Sequence, residues 1–139
     1  MSTTPTNDKR VREAQILAQL CSLMLGLGML LWGLAPVMIQ RLAGRTPPEL
    51  GMLALNSLTL FLGVIFLALT LLIRNGTVWA LHVTAWIALL LLIAAVGLYA
   101  FGGGPMMSLF PTLLTTGAAV TSWYALAVRR VASQEERSA

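Results

Sequence analysis

Charge is what this sequence has least of. Only 10% of its 139 residues are Asp, Glu, Lys or Arg, against roughly 25% in a soluble domain. With 58% hydrophobic residues and a mean hydropathy of +0.83, too few charges remain to solvate a globular surface. That excludes a soluble fold and leaves the membrane class. Cysteine is almost absent. Cys21 lies inside an apolar run, so it has no partner for an internal disulfide and reads as a small apolar residue facing a neighbouring helix. The sequence also has no His/Glu metal spacing, no pair of cysteines and no nucleophile with a base beside it. Catalysis and metal chemistry thus have the least support.

Four long apolar runs dominate what is present: 16–39, 50–73, 78–101 and 106–128. None contains Asp, Glu, Lys or Arg, so none offers a carboxylate for proton-coupled exchange. Small multidrug exchangers of similar size depend on a glutamate in the first helix. Here the nearest candidate, Glu13, precedes the run. Each run spans about 36 Å as a helix, enough to cross a hydrocarbon core of roughly 30 Å. The expected fold is an all-α integral membrane protein, four transmembrane helices in an up-down-up-down bundle. Residues 14–130 form that domain, flanked by a disordered basic tail (1–13) and a polar tail (131–139). The first run is too long for a cleaved signal peptide and reads as a retained helix.

The boundaries between runs have their own chemistry. Gly76, in Arg74-Asn75-Gly76-Thr77, suits a left-handed helix-ending position, with Asn75 as the other candidate. Gly102-Gly103-Gly104-Pro105 closes the third run. Pro111 leaves two starts open for the fourth helix, one near Leu109 and one at Met106 with a bend.

The net charge of +4 belongs to helix ends rather than to a nucleic-acid surface. Lys9, Arg10, Arg12, Arg74, Arg129, Arg130 and Arg137 lie on one side, and only Arg41 and Arg45 on the other. This bias places both termini and the 74–77 turn in the cytoplasm, in a multi-pass protein of the cell (inner) membrane. Trp79, Trp123 and Tyr124 lie near that inner side as an interfacial belt, while Trp32 and Trp86 are deeper and are expected to pack between helices.

Candidate functional positions are few. Asn56, Thr59, Gly63 and Thr70 share one face of the second helix. The reading preferred for such a face is packing against a neighbouring helix; the alternative is a polar path for a small uncharged solute in a self-associating transporter or channel. Ala18, Ser22 and Gly26, with Gly28 and Gly33 beyond, make a small-residue stripe on the first helix. Gly117, Thr121 and Ala125 make another on the fourth, beside Ala118 and Ser122. Both are helix-association signals. His82, near the inner interface, is read first as hydrogen-bonded to water, headgroup or backbone. The sharper alternative is an axial ligand to haem or a chlorin shared with partner subunits.

The layout resembles the DoxX-like small four-helix bacterial membrane proteins. The likeness covers roughly Leu23 to Arg130. It rests on Leu34-Ala35-Pro36 followed by Val37-Met38-Ile39-Gln40-Arg41-Leu42, the Gly-bearing second helix, the Arg74-Asn75-Gly76 turn, the Gly-rich loop and the terminal Arg129-Arg130. That family takes its name from an accessory subunit of a terminal quinol oxidase. No family catalytic residue maps onto this chain. The expected function is a non-catalytic accessory subunit packed in the lipid bilayer against other membrane-protein subunits of an electron-transfer complex, respiratory or photosynthetic. No cofactor is required; a bound lipid, or a pigment or haem held with partner subunits, is compatible with the reading.

Overall fold

In lipid, a chain can satisfy its backbone N–H and C=O groups only by closing them on itself, so apolar runs of this length become helices. The computed structural model describes residues 5–44, 50–100 and 105–138, less the side chains of residues 5–7, 40, 50, 52, 98–99, 105–111 and 136. Four α-helices account for nearly all of it: α1 (Pro5–Leu42), α2 (Leu50–Arg74), α3 (Val78–Ala100) and α4 (Pro105–Ser138). Three of them contain stretches long and apolar enough to cross a membrane, Asp8–Ile39, Leu53–Arg74 and Val78–Gly97. The Gly102–Gly104 loop and residues 45–49 lie outside the described residues.

Two helices are longer than their apolar runs. The segment expected as a disordered basic tail is helical from Pro5, and α4 continues through the polar tail to Ser138. A helix already formed in the membrane extends without repeating the nucleation cost, and proline is tolerated in a first turn. Lys9 and Glu13, one turn apart and 3.9 Å between charged atoms, add a small i,i+4 attraction. α4 begins at Pro105 and runs through Pro111, so the earlier of the two starts is the one observed.

Between α2 and α3 the chain reverses in four residues. Gly76 sits at φ 80°, where a side chain would be strained. Its N–H donates to the Ile73 carbonyl (3.0 Å) and that of Thr77 to the Leu72 carbonyl (3.2 Å), the paired pattern of a Schellman ending.

Packing inverts the pattern of a soluble bundle. Ala, Ser and Thr make up most of the interior, around a few large side chains such as Leu25, Phe66, Ile73 and Leu81, while Leu31, Phe61, Leu90 and Leu113 are more than three-fifths exposed. In water such a surface would aggregate; in a bilayer it is the lipid-facing surface, and small side chains let helices approach. α1 lies along α2 and also against α4, and α3 along α4, whereas α2 and α3 meet over a much smaller area. One core cluster gathers all four helices near the 74–77 turn, with Ala14, Ala18, Ile73, Leu81 and Ala125 among its members. A second, around Leu25, Phe66, Ala88 and Ala118, lies one to two turns further along. Beyond it burial thins to Gly33, Gly63, Ala95 and Thr115 among the described residues.

Candidate functional site: two helix seams, a polar latch and an aromatic face

The α1–α2 seam is built from the stripes on both helices. Ala18 and Ser22 are fully buried, and Gly26 faces Gly63. A Cβ added to Gly26 would stand 3.2 Å from the Gly63 carbonyl oxygen, and one on Gly63 would stand 3.1 Å from that of Gly26. The two backbones therefore touch through positions where each lacks a side chain. One turn inward, the Ser22 and Thr70 hydroxyls lie 3.1 Å apart, and Thr70 Oγ1 is 2.8 Å from the Phe66 carbonyl. Ser22 Oγ also reaches the Phe66 carbonyl (3.4 Å), so with one proton each, Thr70 donating to Ser22 and Ser22 to Phe66 satisfies both.

The polar face of α2 thus divides. Gly63 and Thr70 are turned into the seam, while Thr59 is half-buried and its hydroxyl donates to the carbonyl of Leu55 (2.9 Å) on its own helix. Asn56 is half-buried, with its backbone carbonyl oxygen close against Gly33.

On α4 the stripe is shifted by one residue from Gly117-Thr121-Ala125. Thr115, Ala118, Ser122 and Ala125 are buried, at alternating steps of three and four. Gly117 and Thr121 flank that face and are half-buried; the Thr121 hydroxyl donates to the Gly117 carbonyl (2.7 Å). The facing stripe on α3 is Ala80, Thr84 and Ala88, all buried. Its four-residue spacing is plain in the sequence, but it was hidden among larger apolar residues in the most hydrophobic of the runs. Thr84 and Ser122 bury hydroxyls that have no hydrogen-bond partner among the described residues.

At the end of the bundle that carries the termini, a polar latch ties α1, α2, the turn and α4 together. Arg129 donates through Nη2 to Gln15 Oε1 (2.7 Å) and through Nη1 to the Gly76 carbonyl (3.2 Å). Gln15 in turn donates from Nε2 to the Ile73 carbonyl. A guanidinium can only donate and a carbonyl can only accept, so this is the one orientation of the Gln15 amide that serves both neighbours. The carbonyls the latch reaches lie at the last turn of α2 and in the turn after it, where a cation is favoured; that of Ile73, which already accepts from Gly76 N–H, takes Gln15 as a second donor. Sequence reading treated Arg129 as an orientation charge and passed over Gln15, because nothing in their spacing of 114 residues joins them.

The outward face of α3 gathers Trp79, His82 and Trp86. His82 Nδ1 lies 3.2 Å from the Val78 carbonyl one turn back, so donation from Nδ1 turns the other ring nitrogen, Nε2, into an acceptor. Trp86 does not pack between helices as expected. It is 55% exposed and meets Trp123 of α4 edge to face, with ring centroids 6.0 Å apart at 71°. Trp32, the other tryptophan expected inside, is 47% exposed.

No protein-family model matches this chain, and no curated protein or solved structure shows a significant match.

Proposed function

We propose that the protein is a non-catalytic accessory subunit of a larger complex in the cell (inner) membrane. In this reading α4 is the fourth span and both termini are cytoplasmic, following the excess of Lys and Arg at that end. Electron-transfer complexes, respiratory or photosynthetic, are the first candidates for the partner, on the DoxX-like resemblance.

The observation that carries the reading is the Trp86–Trp123 pair. An interfacial belt accounts for tryptophan at helix ends, but Trp86 lies about 12 Å along α3 from its start. Lipid chains do not require an edge-to-face indole pair at that depth. Aromatic anchors held in place before binding are what a protein partner uses. The α2 face supports the same reading from the other side. Gly63 and Thr70, which would line a solute path, are engaged with α1.

Purification of the tagged chain from its native membrane in mild detergent tests this. The expected result is a stoichiometric set of larger subunits, lost when Trp86 and Trp123 are both changed to Ala while the chain still inserts. Recovery of the chain alone, as a discrete homo-oligomer, would favour the small-solute transporter or channel. Asn56→Leu would then be expected to abolish flux in proteoliposomes. His82→Ala should leave complex yield and absorption spectrum unchanged if the subunit is purely structural. A lost pigment or haem band would instead assign His82 a ligand.

A further inference from the structure

Four buried hydroxyls, one from each helix, lie at one level of the bundle. The contact of Gln15 with Arg129 sets the register of α1 against α4. Two turns further along each helix lie Ser22 and Ser122, both fully buried. Ser22 is joined to Thr70 of α2 at 3.1 Å. On α3, the fully buried Thr84 lies midway between Ala80 of one core cluster and Ala88 of the other, and Ser122 of α4 lies between Ala125 and Ala118 of the same two clusters. Apolar packing thus closes this level on either side.

The two halves of the layer differ. On the α1–α2 side each hydroxyl has an acceptor. On the α3–α4 side Thr84 and Ser122 bond neither to each other nor to any other described residue. The hydroxyls of Ser57, Thr59, Thr116 and Thr121 behave otherwise, each donating to the carbonyl four residues back on its own helix. A buried hydroxyl without a partner is costly, and such groups are where buried water sits. We propose that Thr84 and Ser122 bind one buried water molecule between them, inside the four-helix bundle. Each hydroxyl offers one proton and two lone pairs, and water offers two of each, so the bridge satisfies both side chains. The Ser22 oxygen, which accepts from Thr70, has a lone pair left in the same layer. The flanking residues of the two stripes, Ala80, Ala88, Ala118 and Ala125, are short, so the water competes with no long side chain of either stripe. A metal cation is a poorer occupant, because these four hydroxyls are neutral and an uncompensated buried charge costs far more than a water. The inference depends neither on the partner complex nor on which side the termini face.

The test is NMR of the full-length chain in detergent micelles, with threonine methyl groups labelled. A water held for longer than the protein takes to tumble gives a cross-peak between water and the Thr84 methyl group, and that cross-peak is expected. A dry seam gives none and overturns the proposal. The exchanging hydroxyl proton of Thr84 itself can relay a similar signal, so the measurement is repeated in Ser122→Ala, which keeps that hydroxyl and removes half of the bridge. The cross-peak should then be lost; if it persists undiminished, it belongs to the hydroxyl and the water is not there. Unfolding titrations give an independent reading. If the two hydroxyls are dry, Thr84→Val and Ser122→Ala each remove a cost and leave the folding equilibrium unchanged or improved. If they hold a water, each lowers the folding constant about fivefold, and the double variant lowers it little further, because both dismantle one bridge. Neutral or additive effects overturn the proposal.

Discussion

At the scale of single residues, Arg129 separates two roles that a sequence cannot distinguish. As a charge it counts toward orientation, and any cation in its place would do the same. As a fork it reaches Gln15 and the Gly76 carbonyl together, which a lysine ammonium on a flexible stem does not reproduce. Arg129→Lys should therefore leave the topology unchanged and lower the thermal stability of the purified protein. The expected loss is about 1–2 kcal/mol, the low end for hydrogen bonds to a charged group because the site is partly solvated. Gln15→Leu should cost a similar amount, and the double variant little more, since both remove one network. Additive losses in a thermal or denaturant series would break the latch into independent contacts. The chemistry of this site was only half legible in the sequence. A helix end with carbonyls able to accept further donors is implied by the Arg74-Asn75-Gly76 turn, but which side chains reach it depends on how α1 and α4 cross that end.

Among helices, the seam between α1 and α2 makes a claim about volume. Gly63 and Gly97 both lie inside helices, and replacing glycine with alanine in a helix interior gains up to about 1 kcal/mol of intrinsic propensity. Around Gly97 nothing among the described residues lies within 4 Å of an added Cβ, so Gly97→Ala should be neutral or stabilising. Around Gly63 the new atom meets Leu30 at 3.0 Å and a backbone oxygen at 3.1 Å. Leucine can rotate away, but the carbonyl cannot. Overpacking of this kind costs about 1–3 kcal/mol, so Gly63→Ala should be net destabilising and Gly63→Leu should separate the two helices. Equal effects of alanine at the two glycines, in an unfolding titration, would remove close approach from the account. Here the sequence was a good guide, because the Ala18-Ser22-Gly26 repeat marks a face before any partner is known. It was a poorer guide on α4. Five small residues fall at 117, 118, 121, 122 and 125, and two overlapping stripes fit them equally well. The choice of Ala118-Ser122-Ala125 depends on where α3 lies.

For the whole molecule, the decisive question is whether α4 completes the bundle as a fourth span, since an even number of crossings returns the C-terminus to the side of the N-terminus. α1, α2 and α3 have the length and apolarity to cross. α4 packs along α3 and against α1 through a buried face of Ala118, Ser122 and Ala125, and leaves Leu113 and Val120 more than three-fifths exposed. Small residues inward and large apolar ones outward are the pattern expected of α4 if, as we propose, it is the fourth span. Cysteine labelling of intact cells tests the consequence, after the native Cys21 is replaced by Ala. A cysteine at Ser138 should react with a membrane-permeant maleimide and resist an impermeant one. One at Thr46, between the first two runs, should react with both, and one at Val120 with neither. Impermeant labelling at Ser138 together with protection at Thr46 would invert the orientation and leave four spans. Impermeant labelling at both Ser138 and Thr46 would leave three spans and place α4 on the outer surface. In that case its contacts with α1 and α3 could not persist through the bilayer, and the Trp86–Trp123 docking face would fail with them.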